Sequence, residues 1–253
     1  MYNIYPTLLD SIQRLADCDQ TWEKFWGNSD EPSKTQEEYY NECRQELLDK
    51  LNRKPSEPTE AADKGTCFNE IIDLLQEGRR NRNEEMQFDM NDWAYTAAMH
   101  GFLFQFSRPM CDAYASMYKG AANQVYLEYT EKTKVGDVHL YGYADKVIFD
   151  QIIDLKTTSK YEVGKYEANW QRYVYSLALH SQGVTPSKFR YDVFEWRKGT
   201  EPLEAAPYCE EYVVNIKDYR NTLVGFLENI AIPVIESMRG QLTDTAKQKL
   251  FGE

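Results

Sequence analysis

Three residues, Asp145, Asp154 and Lys156, combine side-chain types and a spacing that could perform chemistry. Asp154 and Lys156 flank one residue at the end of the apolar run Ile152-Ile153. In an extended segment side chains alternate between faces, so the two point the same way. Asp145 lies in an upstream stretch where Tyr141, Tyr143, Val147 and Phe149 alternate as in a strand with one buried face. Pairing of the two strands through the intervening turn would join both carboxylates and the ammonium at the end of a sheet. Paired carboxylates make a hard-cation site, because Mg²⁺ is usually held by one or two carboxylates with water and phosphate. Lys156 would then orient a water or neutralise a developing anion. Further on, Gln171 and Tyr175 are spaced to stack on one helix face.

The elements that must position these residues read as an α/β chain. Thr7 to Trp26 predicts one amphipathic helix, ended by turn residues from Gly27 to Pro32, and Gln36 to Arg53 predicts a second. A third opens at Lys64-Gly65-Thr66 and continues to about Gln76, followed by a basic loop at Arg79, Arg80 and Arg82. The chain is expected to be helical from about Asn91, with Phe102 to Phe106 either a strand or a continuation, and helical again from Pro109 to about Tyr118. Gln124 to Tyr129 alternates as the first core strand. After a polar loop that includes Lys160, residues Glu167 to Leu179 predict the helix carrying Gln171 and Tyr175. Phe189 to Trp196 and Tyr208 to Ile216 predict strands, and Asp218 to Met238 a closing helix that Pro233 should kink or split. The expected fold is a mixed central sheet of four or five strands flanked by helices.

Gly142-Tyr143-Ala144-Asp145, then Asp154-Leu155-Lys156-Thr157, then Gln171 to Tyr175 resembles the PD-(D/E)XK nuclease superfamily, in particular its RecB-like and phage-exonuclease branch. The resemblance covers roughly residues 65 to 196 well and the ends loosely. It implies a restriction-endonuclease-like fold in one domain, with a helical N-terminal lobe at 1–63 covering the site, a core at 64–239 and a tail at 240–253. It also implies metal-assisted hydrolysis of DNA. Asp145 and Asp154 would hold Mg²⁺ or Mn²⁺, with the Leu155 carbonyl completing the set. Gln171 would orient a metal water or phosphate, and Tyr175, Lys160 and Arg172 would contact the nucleic acid. Similar nucleases open a helix with Gly-Thr and place a metal-ligating His three residues after the Thr; Gly65-Thr66 is followed there by Asn69. An amide oxygen is a weaker ligand that does not titrate and favours Mg²⁺; the neighbouring Glu70 could substitute. Glu128 matches an acid often found on the first core strand, either as a secondary site residue or as an edge charge.

Composition sets the outer bounds. With 253 residues, 42% hydrophobic and 14% aromatic, the chain can bury a large core. No apolar run approaches the ~18 residues of a membrane span, and Met1 to Pro6 does not read as a signal peptide, so a cytoplasmic location is expected. The five cysteines contain no CxxC pair, so zinc is not expected; the resemblance implies that a cluster-bearing member would carry one N-terminal and three C-terminal cysteines, and only Cys209 lies near the C-terminal end, so no iron–sulfur cluster is expected. There is no HExxH, Walker A, GxSxG or GxGxxG pattern to support other chemistries. A net charge of −12 opposes nucleic-acid binding. Its distribution softens the objection: residues 156–198 hold eight Lys/Arg against four Asp/Glu, whereas 28–63 hold five against ten. DNA is the expected partner. A helicase or a single-strand-annealing protein would be a separate chain, and the oligomeric state is open. Two alternatives remain: a nuclease fold kept as an inert binding module, or an unrelated α/β protein whose Asp154 and Lys156 form a surface ion pair.

Overall fold

The computed structural model describes residues 1–252. In chain order it runs β1 (Tyr2–Ile4), α1 (Pro6–Ala16), α2 (Cys18–Trp26), α3 (Gln36–Leu51), α4 (Glu60–Glu77), β2 (Gln87–Met90), β3 (Ala94–Met99), β4 (Phe102–Ser107) and α5 (Arg108–Met117). There follow β5 (Ala122–Thr133), β6 (Gly136–Ile148), β7 (Gln151–Thr158), α6 (Gln171–Ser181), β8 (Lys188–Trp196) and β9 (Ala205–Val213). The chain closes with α7 (Ile216–Phe226), a π-helical stretch at Leu227–Ala231, α8 (Ile232–Met238) and α9 (Asp244–Phe251).

The architecture is the expected mixed α/β one, with more strands than the sequence reading gave. Among the described residues the central sheet has six strands, in the order β1-β6-β7-β8-β9 with β5 on the other edge of β6. β1 pairs parallel to β6 and β7 parallel to β8, while the β5–β6, β6–β7 and β8–β9 pairs are antiparallel. Both faces of its central strands β7 and β8 are largely buried. Ile152 joins a core with α1, α6 and α7, whereas its neighbours Ile153 and Leu155 join a second core with α4 and α5. Alternation along β7 thus divides the interior, and a run such as Ile152-Ile153 is continuous because neither face meets water.

Several expectations are corrected. The helix predicted over Thr7–Trp26 is two, because the chain leaves helical geometry at Asp17 (φ −96°, ψ 8°). The stretch after Asn91 is a strand and not a helix. β3 pairs with β2 and β4 in a separate three-stranded antiparallel sheet, and the two-residue turn His100-Gly101 takes positive φ at both positions (48° and 87°). That is the twist a tight hairpin needs, and it overrides the helix propensity of Ala97 and Ala98. α6 begins at Gln171 rather than Glu167. The segment expected as a C-terminal tail holds α9, which buries Leu250 and Phe251 and meets β1 through the Tyr2–Phe251 ring contact at 5.7 Å. β1 itself had no sequence signal at three residues. Pro233 does split the closing helix: lacking an N–H, it cannot bond the carbonyl four residues back, and the preceding turn widens into the π stretch.

One buried charge ties the central sheet to α4. Lys146 on β6 is fully buried, and its ammonium donates to Asp73 Oδ1 (2.6 Å), Gln76 Oε1 (2.9 Å) and Asn123 Oδ1 (2.8 Å). All three of its donors are used. Lys146→Met should therefore strand Asp73 and cost about 3–5 kcal/mol, read as a fall in Tm. Adding Asp73→Asn to Lys146→Met should restore part of the loss; an undiminished deficit in the double variant would refute this account of the cost.

Candidate functional site

The site forms where two strands part. One edge of β6 carries β5 along most of its length. The other edge takes β1 at Val138–Leu140 and β7 at Lys146–Ile148. No strand pairs with the 141–145 stretch on that edge among the described residues. Continued by one step, the Lys146↔Ile153 register sets Asp145 opposite Asp154. There the ladder gives way to a side chain: Asp145 Oδ2 accepts the Leu155 backbone N–H at 2.8 Å.

Three polar side chains complete the arrangement. Gln171, the first residue of α6, donates from Nε2 to Asp154 Oδ1 at 2.8 Å and accepts at Oε1 from the Lys156 ammonium, also at 2.8 Å. Lys156 Nζ stands 2.6 Å from Asp154 Oδ2, close enough for an ion pair though not aligned as a hydrogen bond. The amide of Gln171 thus fixes the carboxylate and the ammonium relative to one another. Both residues of the predicted pair on α6 are buried, but they act differently. Gln171 reaches the acids, while Tyr175 packs beneath the sheet against Gly142, where a Cβ would lie 2.8 Å from the Tyr175 hydroxyl. Burial pushes the Tyr175 phenol up, so it stays protonated.

The remaining candidates divide. Asn69 lies on α4 midway between Gly65, whose Cβ position faces Thr157, and Asp73, which holds Lys146. Helix residues four apart share a ridge, so Asn69 lies on the ridge of α4 whose ends meet Thr157 of β7 and Lys146 of β6. The Asn69 Oδ1 atom is buried without a donor. Glu70 is not available as a substitute ligand: it accepts from Arg79 at 2.6 and 3.0 Å and from the Arg82 backbone N–H at 2.8 Å. That bonding also occupies much of the basic loop. Glu128 stands on the open face of β5, bonded to the Tyr126 hydroxyl (2.9 Å) and 3.4 Å from His139. Arg172 packs between the Tyr173 and Tyr212 rings, 4.7 and 4.4 Å from their centroids, and Lys160 is exposed and paired with Glu162.

The donor set fits a hard divalent ion. Among the described residues no group of three or more His, Cys, Asp or Glu side chains could hold a metal. The oxygens on offer are the Asp145 and Asp154 carboxylates and the Leu155 carbonyl, a set with the few carboxylates typical of Mg²⁺. The electrostatics agree. Burial, then repulsion from Asp154, pushes the Asp145 carboxyl up to about 7. Burial alone would lower the Lys156 pKa, but the charges of Asp154, Asp145 and Asp10 outweigh it and hold the ammonium above its ordinary value.

Asp10 is the residue the sequence reading missed. It projects from α1, and its Oδ1 accepts the Trp170 backbone N–H at 2.8 Å. Trp170 is the N-cap of α6 and has no capping side-chain bond of its own, so a carboxylate from another helix anchors the turn that presents Gln171. Burial raises the Asp10 pKa while the Trp170 bond and Lys156 lower it, which places Asp10 within electrostatic reach of the site. No spacing to the motif announces an aspartate some 135 residues upstream.

The family model of the PD-(D/E)XK nuclease superfamily matches residues 20–244. Among solved structures, the crystal structure of SSO0001 aligns at 12% identity with a TM-score of 0.42, covering 90% of this chain and 75% of that one. No curated protein matches the chain.

The raised Asp145 pKa has a definite sign. The folded state holds a proton that the unfolded state releases at lower pH, so the metal-free protein should lose stability as pH rises from about 4 to about 7. Asp145→Asn should raise the metal-free Tm at pH 8 and leave it nearly unchanged at pH 4; an equal shift at both would count against the assignment. Asp10→Ala should lower kcat about tenfold or more, with Asp10→Asn, which keeps an acceptor for Trp170, losing less. Steady-state kinetics of both variants checks this ordering.

Proposed function

Because the chain belongs to the PD-(D/E)XK nuclease superfamily, we propose that it hydrolyses phosphodiester bonds in DNA at the Asp145–Asp154–Lys156 fork. Membership makes it a nuclease of a class that depends on divalent metal, with nucleic acid as substrate. The finer reading is a Mg²⁺- or Mn²⁺-dependent exonuclease of the RecB-like type, acting in recombination, repair or phage DNA processing. The observation that supports it most is the Gln171 amide bridging Asp154 and Lys156 while Asp145 is held on the Leu155 N–H.

Asp145, Asp154, the Leu155 carbonyl and Asn69 would hold the ion. When bound, it supplies Lewis-acid polarisation of the phosphoryl oxygen and an acidified water. Asp154 and Gln171 keep Lys156 in register, and its ammonium aligns the attacking water or offsets charge on the phosphorane oxygens. Water oxygen forms the new bond to phosphorus, the bridging P–O bond breaks, and the proton lost from water balances the one taken up by the leaving oxygen. Tyr175 supports the floor beneath Gly142, and Lys160 and Arg172 stand as candidate contacts to the strand beyond the reacting phosphate. We treat residues 1–253 as one nuclease domain in the cytoplasm, with any helicase or annealing protein as a separate partner. Among the described residues no helix is long and apolar enough to cross a membrane. A second reading, a nuclease fold that binds nucleic acid or a recombination partner with little cleavage, draws on Asn69 standing where similar proteins place a histidine.

The test uses end-labelled and closed-circular DNA, single- and double-stranded, with Mg²⁺, Mn²⁺ or EDTA. Degradation should require metal, spare closed circles, and fall by about 10²-fold or more in Asp154→Ala and Lys156→Ala. Cleavage of closed circles would replace the exonuclease reading with an endonuclease. Absence of cleavage by folded protein with metal bound would favour the binding module.

A further inference from the structure

The β5–β6 ribbon turns one face to solvent, and that face is aromatic. Cross-strand register pairs Tyr126 with Tyr143, Glu128 with Tyr141 and Thr130 with His139, so these side chains share a face. The Tyr126 and Tyr143 rings lie 5.2 Å apart, and the His139 and Tyr141 rings stack at 5.5 Å with 19° between their planes. Tyr143 is 59% exposed and Tyr126 43%, so the fold leaves about half of each ring unused. Tyr143 is also two residues from Asp145, about 7 Å along the strand.

Two cations for which no ion pair within 4 Å is seen among the described residues border this strip. Arg53, just beyond α3, donates to the Tyr141 hydroxyl at 2.8 Å and lies over the Tyr5 ring at 5.5 Å, and among the described residues no carboxylate pairs with it. Lys50 bonds only neutral oxygens, the Thr7 carbonyl and the Ser11 hydroxyl. Both line an open groove of about 890 Å³ between α1 and the end of α3. Of the acids nearby, Glu46 pairs with Arg14 and Asp49 with Lys54, Glu57 lines the same groove, and Glu128 lies beside the Tyr126 hydroxyl and the His139 ring. In a chain of net charge −12, an arginine with no ion pair and a lysine bonded to neutral oxygens, both beside open rings, point to a polyanion that also offers flat apolar faces.

We propose that this strip is a docking track for a single-stranded polynucleotide, whose bases stack on Tyr126, Tyr143 and Tyr141 and whose phosphates meet Arg53 and Lys50. Base–ring stacking needs unpaired bases, whose faces a duplex keeps inside its own stack. The proposal deepens the nuclease reading by naming the form of substrate that reaches the fork, and it rests on that reading for its purpose.

Binding can be measured apart from cleavage. Anisotropy of labelled oligo-dT, oligo-rU and a blunt duplex in EDTA, on wild type and on Asp154→Ala, reads the track with hydrolysis switched off. Tyr143→Ala and Tyr126→Ala should each weaken oligo-dT binding about tenfold, Tyr143→Phe should retain it, and duplex affinity should not move. Arg53→Ala should flatten the salt dependence by about 0.7 in log–log slope, with each variant keeping the wild-type Tm. At saturating oligonucleotide kcat should be unchanged and KM raised. Equal losses for oligo-rU would support the shared single-strand chemistry, and losses confined to oligo-dT would assign it to DNA. Unchanged oligo-dT affinity in both Tyr143→Ala and Arg53→Ala, or a parallel loss for duplex, overturns the track. So does occupation of the strip by a protein that oligo-dT does not displace. Binding that follows this pattern in a protein that never cleaves would sink the nuclease reading and leave the track standing.

Discussion

A lysine ammonium with no exposure to solvent anchors the sheet next to the Asp145–Asp154 pair. Burial pushes Lys146 down and Asp73 up, each toward its neutral form, and their mutual attraction offsets only part of that. The pair is thus a cost to stability that geometry must justify. Its return is position. Lys146 follows Asp145 directly, and successive residues of a strand face opposite ways. Locking Lys146 to α4 and to Asn123 of β5 fixes the strand from behind, and Asp145 is held from the other side by the Leu155 N–H. Two like charges then stand opposite each other at a place where the backbone cannot relax away.

The same economy governs the other side of the fork. A carboxylate and an ammonium left alone would settle into an ion pair of any convenient geometry. Gln171 prevents that by bonding both with one planar amide, and the amide is placed by the N-terminus of α6, which Asp10 holds through Trp170. Helices from distant parts of the chain therefore set the angle between two side chains that are near neighbours in sequence.

What the sequence revealed follows from how local each signal is. Asp154 and Lys156 were legible because alternation is a property of the strand itself, and Gln171 with Tyr175 because helical spacing is. The split at Pro233 was legible for the same reason, since a missing N–H acts within one turn. Asp10 was not, because its role exists only once α1 lies against the start of α6. The strand β3 reads as helix in sequence because its alanines favour helix; its partners β2 and β4 override that local preference. Glu70 looked like a ligand by adjacency to Asn69, yet neighbouring helix residues face about 100° apart, and Glu70 turns to Arg79.

The parallel pairing of β1 with β6 has a consequence for how the protein comes into being. Tyr2 finds Val138 across more than half of the chain, and the Tyr2 ring then packs on Phe251. Contacts of such long range are made late, after local helices and hairpins have formed. A nascent chain can display Asp145, Asp154 and Lys156 in their hairpin well before β1 settles along β6 and α1 brings Asp10 to α6. A chain in which β1 has not reached β6 has its acids but not the frame that sets their angle.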